Sequence, residues 1–199
     1  MKVRVPAACM GRRTGGFSLL EIVVVLAGIM IILAAVVMSW SSLMTNIRAN
    51  NAMDQVIQQM RLARYTAVTD RRAIIVAFTT SPATIQISQV PAAGGAAVTL
   101  STVPIAGAQF CTVSGLPDTP QGFGNSTAVS FVNALSPATP VPLTQFNADG
   151  TFGAAVGIPV NGTIFTCTPG QTNSARAVTI LGATGRVRPY RWLNGAWQE

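Results

Sequence analysis

Hydrophobic positions along the chain change pattern twice. From Ile22 to Ile47 they are nearly continuous, with no charged residue among them. Phe17 to Trp40 alone would extend about 36 Å as a helix rising 1.5 Å per residue, enough to span a hydrocarbon core with some tilt. Beyond it the pattern becomes amphipathic. Ala49, Ala52, Met53, Val56, Met60, Ala63 and Ala67 recur at spacings of three and four, while Asn50, Asp54, Gln58, Arg61 and Arg64 occupy other faces. This predicts a continuing helix with one apolar stripe packed on a sheet, Met53 and Met60 serving as core residues.

Past Asp70-Arg71-Arg72 the period drops to two. Ala73 to Thr79 reads as a strand and Thr84 to Ser88 as its hairpin partner. Loop-like segments rich in Pro and Gly follow at 91–95, 117–124 and 137–142, separating short strands at Phe110 to Val113 and Ala128 to Asn133. Asn147-Ala148-Asp149-Gly150 reads as a turn between Leu143 to Phe146 and Thr151-Phe152. Thr163 to Cys167, Ala175 to Leu181 and Arg186 to Tyr190 complete the strands, the last two joined by Gly182-Ala183-Thr184-Gly185. In that register Val187 faces Ile180 and points inward with Val178, while Arg186 and Arg188 project together from the opposite face. Residues 73–192 thus predict an antiparallel sheet packed on the helix, an α+β domain.

Charge adds an orientation. Residues 1–16 carry Lys2, Arg4, Arg12 and Arg13 and no acid, the distribution that stays in the cytoplasm while the apolar segment behind it crosses the membrane. This implies a single pass with the N-terminus in the cytoplasm and the C-terminal domain on the far side of the membrane. An ordinary secretory signal places its apolar core before the cleavage point and loses both together. Here Gly15-Gly16 precedes the core, so cleavage there removes a leader, 1–16, and keeps the helix, 17–47, on a globular domain, 48–199. Without the leader the formal charge falls from +7 to +3, nine arginines against six acids. Arg176, Arg186, Arg188 and Arg191 lie between Asp149 and Glu199 with no other acid, so the far end is locally basic.

Glu21 is the one acid at the mouth of the apolar run. A carboxylate there costs up to about 3 kcal/mol near the helix centre, less toward the interface, and marks a partner. The α-amino group that cleavage would create on Phe17 lies one turn away, and a neighbouring subunit would bring a second. Cys111 and Cys167 are the two cysteines outside the leader. An even pair in an exported domain suggests a disulfide, with two buried free thiols as the alternative. Catalysis has little to work with. There is no His, and Glu21, Asp54, Asp70, Asp118, Asp149 and Glu199 form no spaced dyad. Asp149-Gly150 lacks the Asp-x-Asp spacing and distal Glu of a calcium loop and reads as turn chemistry. Neither enzyme activity nor a metal or cofactor is expected.

Gly16, Phe17, Ser18, Leu19 and Glu21 resemble the class III signal of type IV prepilins: Gly, Phe, Thr or Ser, Leu, any residue, Glu. The resemblance implies that prepilin peptidase cuts between Gly16 and Phe17 and methylates the new amine of Phe17. It also implies that Glu21 guides assembly by pairing with the amine of an adjacent subunit. The later chain resembles the GspH/FimT/FimU class of minor pilins and pseudopilins. The matching residues are Leu62-Ala63-Arg64 with Ala67, Asp149-Gly150-Thr151-Phe152, Cys167, Ala175 to Ile180, and Gly185-Arg186-Val187-Arg188. Residues 82–142 match neither pattern.

Together these imply a pilin fold, a long helix packed on an antiparallel sheet, in a non-enzymatic subunit of a type II secretion pseudopilus or a type IV pilus. Its place would be at or near the tip. Its partners would be other pilin subunits, prepilin peptidase, the inner-membrane assembly platform and, before assembly, inner-membrane lipid. Gly185-Arg186-Val187-Arg188 also matches the Gly-Arg-x-Arg signature of DNA-binding FimT-like minor pilins. In that alternative Arg186 and Arg188, helped by Arg191 and Arg176, contact successive phosphates, and Tyr190, Trp192 or Trp197 adds stacking. The plainer role of outward arginines is to keep an edge strand soluble and unpaired.

Overall fold

The computed structural model describes residues 18–91, 95–133, 136–140, 144–154 and 158–199, without the side chains at 35, 37–39, 41–42 and 132–140. The chain divides into two compact units, one ending at Ser42 and one running from Leu43 to Glu199.

Helix α1 spans Leu19–Asp70. Its start is set by Ser18, whose Oγ accepts the Glu21 N–H at 3.2 Å. Ser-x-x-Glu is the order of a capping box, which satisfies N–H groups that the first turn leaves without partners. Its end is set by Arg71, which adopts the left-handed conformation at φ 52°, and by the Arg72 N–H, which donates to the Ala67 carbonyl at 3.1 Å. That six-to-one bond closes the last turn as a Schellman motif, with arginine where glycine is usual.

The strands are β1 (Ile74–Thr80), β2 (Ala83–Gln89), β3 (Val98–Pro104), β4 (Gln109–Phe110), β5 (Val129–Asn133), β6 (Ser136–Pro140), β7 (Thr144–Phe146), β8 (Phe152–Gly153), β9 (Val160–Cys167), β10 (Arg176–Leu181), β11 (Arg186–Leu193) and β12 (Ala196–Gln198). The class is α+β, as expected, but the strands form two sheets rather than one. The first runs β3-β2-β1-β7-β8; the second runs β12-β11-β10-β9-β5-β6, with β4 also paired to β9. The reason is the shortness of β8. Toward the other sheet its two residues offer the Phe152 N–H to the Gly182 carbonyl just past β10, at 2.8 Å, and a bridge from Gly153 to Pro159 just ahead of β9, which is too little to continue a ladder.

Both sheets share one core with the helix. Ala52, Met53, Val56, Met60, Ala63 and Ala67 are buried together with Ile74 and Val76 of β1, Ile85 and Ile87 of β2, Ile164 of β9, and Val178 and Ile180 of β10. Phenylalanines join the sheets: Phe78 of β1 lies 5.7 Å from both Phe110 of β4 and Phe131 of β5, and Phe131 lies 5.3 Å from Phe152 of β8. A smaller cluster of Phe165, Ala177 and Tyr190, with Trp197 against it, occupies the other face of the second sheet.

Four strands depart from the expected pattern, β4 among them: it is Gln109–Phe110, and 111–113, expected to continue it, lies outside any strand. β3 is mostly exposed, with Val98 and Leu100 pointing to solvent, so it shows no alternation to read. β6 contains Pro137 and Pro140 in a segment expected to be a loop. It lies at the edge of its sheet, where proline's missing N–H leaves no ladder bond unmade. β12 extends the sheet beyond Trp192.

Truncating the stripe tests this core. Met60→Ala is expected to cost about 2–5 kcal/mol by chemical denaturation in detergent. Tyr65→Ala, on the same helix but 70% exposed, is expected to change stability by less than about 0.5 kcal/mol.

Candidate functional site on the outer face of the C-terminal hairpin

β10 and β11 pair with Ile180 opposite Val187, Thr179 opposite Arg188 and Leu181 opposite Arg186, the register that the Gly182–Gly185 loop requires. Val178 and Ile180 are buried in the shared core and Val187 packs against it, so the pleat sends Arg186 and Arg188 to the other face. Arg186 is exposed. The Arg188 side chain is 32% exposed, with Nη1 3.7 Å from Glu199 Oε2. A pair that long and that wet contributes little, and Arg188 stays available to another anion.

The loop that carries these arginines is held by packing. Gly185 has φ +62°, and a Cβ there would collide with the Gly150 carbonyl. That same carbonyl accepts a hydrogen bond from Arg64 Nε at 3.2 Å. Arg64, Gly150 and Gly185, distant in sequence, therefore meet at one point, and Gly185 is required there whatever the neighbouring arginines bind. Asp149 Oδ1 accepts the Thr151 hydroxyl at 2.6 Å and the Thr151 N–H at 2.9 Å. These bonds, the hydroxyl first, hold the Asp149 carboxyl below its ordinary pKa and leave its Oδ1 committed to the turn.

Two of the expected phosphate contacts belong elsewhere. Arg176 shares parity with Val178 and Ile180 and is 2% exposed. Its Nε donates to Asn50 Oδ1 at 2.8 Å and its Nη2 to Asn46 Oδ1 at 3.3 Å, while Nη1 donates to the Asn173 and Ala175 carbonyls, both at 2.9 Å. Burial, and secondarily repulsion from Arg191, pulls its pKa down. Arg176 fastens β10 to the helix and is not a surface cation. Arg191 lies opposite Arg176 in the register, so it shares the face of Val187 rather than that of Arg186 and Arg188. Tyr190 is 4% exposed and is not a stacking surface. Trp192 and Trp197 meet edge to face at 5.3 Å.

What covers Tyr190 is a strap, residues 111–128, from the middle of the chain that no sequence pattern explained. Cys111 is disulfide-bonded to Cys167. Gln121 Nε2 donates to the Tyr190 hydroxyl at 3.0 Å, and Trp197 Nε1 donates to the Pro117 carbonyl at 2.8 Å. Within the strap, Asp118 accepts the N–H groups of Thr119 and Gly124, each at 2.7 Å. Between strap and hairpin lies a small pocket lined by Gln121, Phe123, Thr179, Leu181, Arg186 and Arg188. Gln121 and Phe123 were not candidates from sequence. Their only local cue is an aromatic between two glycines, Gly122-Phe123-Gly124.

At the other end, the leader, Gly16 and Phe17 lie outside the described residues. Glu21 occupies the first turn of α1, where the helix dipole favours a carboxylate. Leu19, Leu20, Ile22 to Leu26 and Ile29 to Leu33 are all exposed apolar side chains. Among the described residues no helix is long and apolar enough to cross a membrane. The expected span, 17–47, includes Phe17 and the side chains at 35, 37–39 and 41–42, which lie outside them. Among the described residues no group of three or more His, Cys, Asp or Glu could hold a metal ion.

No family model and no curated protein matches the chain. Its structure is similar to that of the type IV minor pilin FimU of Pseudomonas aeruginosa, with 19% identity and a TM-score of 0.43 over 75% of this chain and 92% of that one. It is also similar to the minor pseudopilin EpsH from the type 2 secretion system of Vibrio cholerae, with 14% identity and a TM-score of 0.47 over 72% of this chain and 97% of that one.

Two measurements check the roles given to these side chains. Arg176→Lys retains the charge but not the fork that reaches four oxygens, so it is expected to lower stability by about 2 kcal/mol or more, while Arg191→Lys leaves it nearly unchanged. Asp149 has its pKa lowered by folding, so its contribution is present above the ordinary carboxylate value of about 3.9 and is lost as pH falls through the folded value. The stability gap between the native chain and Asp149→Ala is therefore expected to close on acidification below about pH 4. A gap that persists unchanged in acid would refute that role.

Proposed function

We propose that this chain is a non-enzymatic minor pilin or pseudopilin subunit, built into a type IV pilus or a type II secretion pseudopilus. The observation that carries the reading is Gly16-Phe17-Ser18-Leu19-Leu20-Glu21, set between a leader with four cations and an uncharged helical run. Prepilin peptidase removes residues 1–16 and methylates the amine of Phe17. The helix then holds the subunit in the inner membrane, with residues 48–199 in the periplasm, until the assembly platform passes it to the filament. An exposed apolar helix needs cover, and lipid followed by the helices of other subunits supplies it. Resemblance to the minor class at Arg64, Asp149 to Phe152 and Gly185 to Arg188 favours a position at or near the tip.

Glu21 has two roles under this reading. Its backbone belongs to the cap made by Ser18, and its carboxylate pairs with the Phe17 amine of an adjacent subunit. Glu21→Gln separates them, because glutamine suits the same capping position without the charge. The variant is expected to be cleaved and inserted normally yet be absent from sheared filaments on immunoblot. Incorporation at the native level would exclude the pairing.

A second reading, favoured by the shared exposed face of Arg186 and Arg188 beside Phe123, is DNA capture for uptake. Contacts of this kind go to phosphates and weaken with salt.

A further inference from the structure

We infer that the end of the globular domain where the helix enters it is a docking surface for an anionic lipid bilayer, with Arg48 and Arg191 on headgroup phosphates and the β11–β12 turn at the interface. This rests on the membrane-anchored reading above and adds a surface to it. Two contacts fix which end this is. The loop end of the β10–β11 hairpin, at Gly185, packs against Arg64, while the open end, at Arg176, bonds Asn46 and Asn50. The hairpin therefore runs along the helix, and β11 leads back toward Leu43, the first residue of the second unit. Under the proposed function the uncharged run that ends at Ile47 leaves the membrane there, so the chain itself holds this end close to the membrane surface.

Charge at this end lacks a counter-ion. Arg191 stands opposite Arg176 across the strands, a placement that sets like charges side by side and costs stability. Arg176 is met by four neutral oxygens and by no carboxylate. Among the described residues the only salt bridge joins Arg188 to Glu199, which leaves the exposed Arg48 and Arg191 without an acid. Arg48 is the first charged residue after the run that begins at Ile22, and its stem lies over Gly107, where a Cβ would come to 3.0 Å from its Cγ and Cδ. Phosphates of a lipid surface supply the missing anions, and cations just outside a membrane-spanning helix are drawn to them. Beyond Arg191, Trp192 and Leu193 pair with Trp197 and Ala196 across the turn Asn194-Gly195, whose φ angles are both positive at 52° and 80°. Inward from the tip the order is an exposed Leu193, the tryptophan pair and then Arg191, which matches a bilayer's order of acyl chain, interface and phosphate. A free phosphate would use the cations alone and leave Leu193 uncovered.

The test uses the full chain in lipid nanodiscs, one set of phosphatidylcholine alone and one made equally of phosphatidylcholine and phosphatidylglycerol, with amide hydrogen exchange read by mass spectrometry. The amides of Asn194 to Ala196 are expected to exchange more slowly in the anionic discs, by about fivefold for each arginine engaged and up to about thirtyfold for both. Arg48→Gln with Arg191→Gln is expected to remove the difference between the discs. The amides of Ile164 and Val178 are expected to keep their exchange in that variant, which reports an intact core. Arg186→Gln with Arg188→Gln removes as much charge from farther along β11 and is expected to retain the difference. Equal exchange in the two discs, a difference that survives the first double variant, or an equal loss in the second would overturn the docking surface and leave the membrane-anchored reading standing. A chain that separates from the discs of both kinds on size-exclusion chromatography would overturn both.

Discussion

The structure depends on how closely two sheets can approach one helix. Ala49, Ala52, Ala63 and Ala67 have no exposed surface, and their small side chains let the sheets come near, while Met53, Val56 and Met60 fill the wider gaps between. Methionine suits such irregular spaces because it is unbranched and flexible. Near the start of this stripe the contact changes character. Arg176 reaches across to Asn46 and Asn50, and its charge is met by amide and carbonyl oxygens. A buried cation is costly unless hydrogen-bonded, so this arrangement strongly disfavours any slip of β10 along the helix. Every strand paired outward from β10 inherits that register, including the one carrying Arg186 and Arg188.

Much of this was legible from residue patterns. The amphipathic spacing of Ala49 to Ala67 identified the buried face of the helix, and the four residues from Gly182 to Gly185 fixed the pairing of Val187 with Ile180. The same alternation held the answer for Arg176 and Arg191, whose parity places them on the inward face; local basic charge concealed it. Other features had no local signal. Two sheets arise because β8 is too short to continue a ladder, which depends on a long-range pairing. β3 is exposed and β6 is proline-bearing, so neither carries a strand's usual signature. The strap was the largest omission. Its role rests on contacts between Gln121 and Tyr190 and between Pro117 and Trp197, separated by 69 and 80 positions.

These corrections redistribute the functional residues. Of four arginines near the C-terminal end, two build or flank the helix contact and two remain on the outer face, joined there by Phe123 and Gln121. Gly185, part of the same short motif, is explained by its approach to Gly150 beside Arg64. At the opposite end, Ser18 and Glu21 start the helix by their own hydrogen bond, so the motif that is proposed to direct assembly also serves local structure. Under the proposed function, the head of the helix serves entry into a filament, and the outer face of the hairpin is the surface the subunit presents from it.

The central claim concerns the head of the helix, and mass spectrometry of the chain recovered from cell membranes tests it most directly. The account predicts an N-terminal peptide that begins at Phe17 and carries one added methyl group on its amine, with residues 1–16 absent. A chain that still begins at Met1, or one cut after the apolar run so that Glu21 is lost, would contradict it.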